Sequence, residues 1–151
     1  MFQRILVPVD GSDTSELAVR TAARLARESG GRIRLMHVLD QTVFMAGYDP
    51  AGGASGQMFG ALRDSARQIL REAEAVIASD GVPCESELVD EPGKRLADSV
   101  ADAAQAWQAD LIVVGTHGRR GPSRLFLGSG AEQIIRGAPV PVLVVRDRQA
   151  R

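Results

Sequence analysis

The chain has 151 residues, 44% of them hydrophobic and 25% charged, with a net charge of −1; this suits one globular domain and gives no electrostatic reason for bulk binding to nucleic acid or an anionic membrane. Cys84 is the one cysteine, which excludes an internal disulfide, and the start MFQRILVP is too short an apolar run for a secretory leader. No run approaches the ~20 apolar residues of a membrane span, so the expectation is a cytoplasmic protein of a single domain, residues 1–151.

The first apolar run, residues 2–9, is dense in Val, Ile and Leu rather than alternating, as in a strand buried on both faces of a parallel sheet. Residues 13–29 have helical spacing, with Leu17, Thr21, Ala22, Leu25 and Ala26 on one face. That helix opens on Asp13-Thr-Ser-Glu16, a capping-box pattern with Asp13 as cap, and closes on Gly30-Gly31. A second strand follows at residues 33–39. Residues 41–60, QTVFMAGYDPAGGASGQMFG, are rich in Gly and Ala and are expected as a mobile loop leaving that strand, a lid or a contact surface.

Residues 62–78 form the next expected helix, with Leu62, Ala66, Ile69, Ala73, Val76 and Ile77 on a stripe. Cys84-Glu-Ser-Glu-Leu-Val89 alternates and is polar, as an edge strand does. Residues 94–107 repeat the helical spacing through Leu96, Val100, Ala103 and Trp107. A strand at 111–114, a short helix at 131–136 and a strand at 140–145 complete the chain. Strand and helix therefore alternate through five strands, which predicts an open, doubly wound (Rossmann-like) parallel sheet with helices on both faces.

Ligands of such sheets bind beyond the carboxyl ends of the strands, where strand order reverses. Asp10-Gly11-Ser12 ends the first strand, His37-Val38 the second and Gly115 the fourth. If the first and fourth strands are neighbours, Asp10 and the Gly115 loop flank one crevice. Two phosphate motifs fail there. The sole Gly-Lys pair, Gly93-Lys94, is followed by Arg95 rather than the Ser/Thr of a Walker A loop. The start of a dinucleotide fingerprint at Gly128-Ser-Gly130 meets Gln133 where the third glycine belongs.

The pattern present is Gly115-x-x-Gly118, nine residues, then Gly128-Ser129, inside GTHGRRGPSRLFLGSG. Glycines let a backbone approach a ligand and leave amides pointing inward. Ser129 stands at a helix start, with Ser129-x-x-Glu132 as a second capping box, and the positive end of that helix suits an anion. The stretch reads as a phosphate cradle.

At these residues the sequence resembles the universal stress protein family, whose nucleotide-binding members carry Gly-x-x-Gly, nine residues, Gly-Ser/Thr. The resemblance runs through RILVPVDGSDTSELAVRTAARLA, RLMHVLD, ADLIVVGTHGRRG and APVPVLVVR. It implies the strand order 3-2-1-4-5, ATP binding and a dimer. By the same resemblance, Asp10 and the backbone near Pro8, Val9 and Val38 hold the adenosine. Gly115, His117, Gly118, Gly128 and Ser129 surround the ribose and phosphates, with Arg119 and Gly130 at the edge of that set. Gly130 replaces the apolar residue common in the family, which lowers helix propensity and loosens the helix start.

Each residue also has a plainer reading. Asp10 would accept turn amides, His37 would make a local hydrogen bond, and Arg119, Arg120 and Arg124 would form a solvated basic loop rather than a phosphate clamp. Ser129 would serve only as a cap. Trp107 and Cys84 read as packing residues. Two histidines and one cysteine at scattered positions make no metal site, so Mg2+ would arrive on the nucleotide's phosphates. The proline-started strand at 140–145 is an expected edge, either covered by a loop or paired with a second copy, and the resemblance favours the homodimer. The leading function is an ATP-dependent regulatory protein of the stress response. A slow ATPase or self-phosphorylating enzyme and a nucleotide-free scaffold are the alternatives, with no catalytic residue named. With 4% aromatic residues and 19 acids, nucleic-acid binding ranks last.

Overall fold

The computed structural model describes residues 1–40, 55–116 and 127–147. In chain order they form β1 (Arg4–Pro8), α1 (Asp13–Ser29), β2 (Arg32–Val38), α2 (Ser55–Ser79), β3 (Cys84–Val89), α3 (Leu96–Ala106), β4 (Leu111–Gly115), α4 (Ser129–Gly137) and β5 (Val142–Val145). The five strands make one parallel sheet in the order β3-β2-β1-β4-β5. The chain thus winds outward one way from β1, then returns past it, and the reversal falls between β1 and β4.

Alternation along the central strands divides the core in two. Ile5 and Val7 of β1, with Ile33, Leu35, Leu111 and Val113, pack against α1 and α2. Leu6, Met36, Ile112 and Val114 turn to the other face, against α3 and α4. A side chain of this size contributes about 1.5–3 kcal/mol when fully buried, and with both faces covered the strands read as unbroken apolar runs. Helix α1 turns Ala18, Val19, Ala22, Ala23 and Ala26 inward, small residues that bring it close to the sheet.

The outer strand β3 is an edge, as its alternation predicts. On the α3 side, Arg34 of β2 reaches Glu85 and Glu87 of β3 at 3.1 and 3.5 Å. Its guanidinium also lies 5.0 Å from the centroid of the Trp107 ring, a cation–π contact with the residue that closes α3. The Arg34 hydrogen bond holds the Glu85 carboxyl below its ordinary pKa. Cys84 packs against the α1–α2 core; burial first, then Glu74 and Glu85, pushes its thiol up to about 12, so it remains protonated.

Three sequence expectations change. Helix α2 starts at Ser55, so residues 55–60 of the expected loop 41–60 are helical, while 41–54 lie outside the described residues. Gly56 and Gly60 hid these turns, although a helix already begun extends at little cost per residue. The cap of α1 is Ser12, not Asp13: the Ser12 hydroxyl accepts the Ser15 N–H at 3.2 Å, and Asp13 is instead a first-turn acid suited to the helix dipole. Helix α4 begins at Ser129 with Gly128 as its cap, so Ser129 is the first helical residue and its expected capping box is absent. Among the described residues no helix is long and apolar enough to cross a membrane.

Candidate functional site

The switch point brings three chain segments together. β1 ends at Pro8, which has no N–H to extend a ladder. Val9 follows, its N–H donating to Met36 O at 2.8 Å. Gly11 then turns through φ 80°, and Ser12 caps α1. Asp10 belongs to this turn: its Oδ1 accepts both the Ser12 N–H, at 2.9 Å, and the Ser12 hydroxyl, at 2.6 Å. The Asp10 N–H in turn donates to Ser15 Oγ at 3.2 Å. The carboxylate orients the very hydroxyl that caps α1, so the turn-residue reading of Asp10 holds. It also sets a negative group at the carboxyl end of β1, beside β4.

Gly115 ends β4 where the first turn of α1 crosses it. A Cβ built at Gly115 would lie 2.6 Å from the Thr14 carbonyl oxygen and 2.8 Å from Thr14 Oγ1. The glycine is therefore required by packing, whatever else approaches it. Thr116, buried at 3% exposure, then joins three elements through its backbone. Its N–H donates to Val145 O of β5 at 3.0 Å, and its carbonyl accepts the Gly128 N–H at 2.6 Å. The chain leaves β4 and returns to α4 at one point. His117, Gly118 and Arg119, like Arg120 and Arg124, lie outside the described residues.

That clasp fixes the N-terminus of α4 at the end of β4. The intrahelical ladder starts with the Glu132 N–H donating to Gly128 O at 3.0 Å. The N–H groups of Ser129, Gly130 and Ala131 thus have no acceptor within the helix, and Gly128 supplies no side-chain cap. Gly130 has a packing reason: a Cβ there would come within 3.1 Å of Leu96 Cδ2, where α4 crosses the start of α3. The lack of a Cβ at Gly130 thus leaves room for the end of the Leu96 side chain.

On the other side of β1 the last paired residues are Pro8 and Met36. Met36 O faces β1, where it accepts the Val9 N–H, and the Leu39 N–H faces β3, where it donates to Val89 O at 2.9 Å. Backbone groups alternate sides along a strand, so the N–H and C=O of Val38 face β1. The Val9 carbonyl opposite them accepts a 2.7 Å hydrogen bond from His37 Nδ1. A carbonyl only accepts, so Nδ1 carries the hydrogen. His37 makes the hydrogen bond expected of it, but across strands and not locally. Sequence reading missed the roles of His37, Ser12 and Thr116; of these only Ser12 carries a local signal, a serine directly after Asp-Gly at a helix start.

The arrangement offers amide donors for an anion at α4, a carboxylate at β1 and an N–H/C=O pair on β2. Among the described residues no group of three or more His, Cys, Asp or Glu is placed to hold a metal ion.

Known proteins share this fold. A universal stress protein of Thermus aquaticus is 35% identical over 150 residues, covering 97% of this chain and 100% of its own. The universal stress protein from Archaeoglobus fulgidus in complex with dAMP is 27% identical with a TM-score of 0.69, covering 96% of this chain and 98% of that one. A universal stress protein in complex with cAMP is 26% identical with a TM-score of 0.65, covering 96% and 97%. The model of the universal stress protein family matches residues 1–146. The chain belongs to the universal stress protein family.

Proposed function

We propose that residues 1–151 act as a single domain that binds an adenine nucleotide, ATP foremost, and serve as a cytoplasmic regulatory protein of the stress response, working as a dimer. The observation that carries this reading is the clasped start of α4. Three N–H groups without helical acceptors are held at the carboxyl end of β4, next to β1, by the Gly128–Thr116 hydrogen bond. The triphosphate lies at Ser129, Gly130 and Ala131, with His117, Gly118 and Arg119 completing its surroundings. The ribose lies toward Asp10, and the base lies between Pro8, Val9 and the Val38 backbone. Mg2+ enters on the phosphates. Relatives that hold dAMP and cAMP support an adenylate as the ligand class.

The dimer forms along β5, an edge strand on which Leu143 is 37% exposed, with Ile135 of α4, 39% exposed, as a further apolar group.

Titration calorimetry with ATP on the wild type and on Ser129→Asp tests the site. An acid at the first helical position favours the helix dipole by about 0.3–1 kcal/mol but opposes a phosphate. The variant is expected to keep or raise its melting temperature while ATP affinity falls about tenfold or more. A wild type that takes up no adenine nucleotide ends the reading.

A further inference from the structure

We propose that His37 is a positioning residue that keeps the ends of β1 and β2 apart, so that the Val38 N–H and C=O stay available to read the edge of an adenine base. This rests on the nucleotide-binding reading above and adds to it the residue that prepares the base subsite.

In a parallel pair each step uses one strand's carbonyl for the other's N–H two residues along. With the Val9 N–H on Met36 O, the next step would place the Val38 N–H on Val9 O. That acceptor is held by the His37 Nδ1–H at 2.7 Å, and the registered pairing stops at Pro8 and Met36. The imidazole substitutes for a backbone donor. The Val9 carbonyl keeps its hydrogen bond in a region where Val9 itself is 5% exposed, so burying it carries no unsatisfied-acceptor penalty. Val38, facing β1, presents one donor and one acceptor side by side. Adenine's Watson–Crick edge offers a ring nitrogen acceptor beside an amino donor, and fits. Guanine offers the opposite order, an oxygen acceptor beside a ring N–H donor, and sets like groups against each other.

Two substitutions separate this role from plain packing. His37→Asn keeps an N–H close to the position of Nδ1. His37→Leu keeps bulk and removes the donor, so the Val38 N–H closes onto Val9 O. ATP and GTP affinities are measured by calorimetry on wild type and both variants, and exchange of the Val38 amide is followed by NMR in nucleotide-free protein. The Leu variant is expected to lose ATP affinity about tenfold or more, to bind ATP and GTP alike, and to protect the Val38 amide that exchanges fast in wild type. The Asn variant is expected to restore the ATP preference to within about threefold of wild type. The inference is overturned if the Leu variant keeps the wild-type ATP-to-GTP ratio, or if its Val38 amide exchanges as fast as in wild type. A wild type that binds neither nucleotide ends the functional reading, while the exchange comparison still decides whether His37 holds the strands apart.

Discussion

Helices α1 and α4 begin at the same edge of the sheet, one after each of the two strands that flank the switch point, yet their first turns are finished differently. The start of α1 is closed by its own chain. Ser12 caps it, Asp10 holds Ser12, and Gly115 lets the Thr14 carbonyl rest against β4. The start of α4 has a glycine cap and three N–H groups without helical acceptors, held in place from behind by Thr116. Lack of a side-chain cap alone decides little, since α3 lacks one at Arg95 as well. What distinguishes α4 is that its uncapped turn is fixed at the strand-order reversal. One helix start is closed by side chains of its own segment, the other keeps its first N–H groups without a helical acceptor.

That contrast can be broken by substitution. Gly115→Ala should have the largest effect. Its Cβ meets the backbone of α1 rather than a movable side chain, so urea unfolding should report a loss of about 3 kcal/mol. A stability change near zero would mean that α1 does not rest on β4. Ser12→Ala should cost about 1 kcal/mol in the same measurement, the usual value of a helix cap. Its ATP affinity should change much less than that of Ser129→Asp; an equal loss would erase the distinction between the two helix starts. The smallest effect belongs to Gly130→Ala. Alanine gains about 1 kcal/mol in helix propensity, and the end of the Leu96 side chain has to move a few tenths of an ångström. The net expectation is a gain of roughly 0.5 kcal/mol, read by the same urea unfolding. A clear destabilisation would show that Leu96 cannot yield.

Much of this architecture was legible beforehand because its determinants are local. Continuous Val, Ile and Leu runs marked the buried strands, the polar alternation of Cys84–Val89 marked the edge, and helical spacing located α1 with the bounds it has. Helix starts were less legible. Asp13-x-x-Glu16 and Ser129-x-x-Glu132 match a capping box as patterns, but the box needs its first residue outside the helix. Whether Asp13 or Ser129 lies outside depends on where the preceding turn releases the chain. Gly11 at positive φ places Ser12 there, and the Thr116 hydrogen bond places Gly128.

By itself, the sequence determined the alternation of elements and the concentration of glycine and polar residues at the strand ends. Those follow from periodicity and from residues whose backbone freedom is intrinsic. Only the tertiary structure decided what Gly115, Gly130, His37 and Thr116 do. Each acts on a partner distant in the chain — Thr14, Leu96, Val9 and Val145 — and those partners meet it only after the sheet has assembled in the order β3-β2-β1-β4-β5.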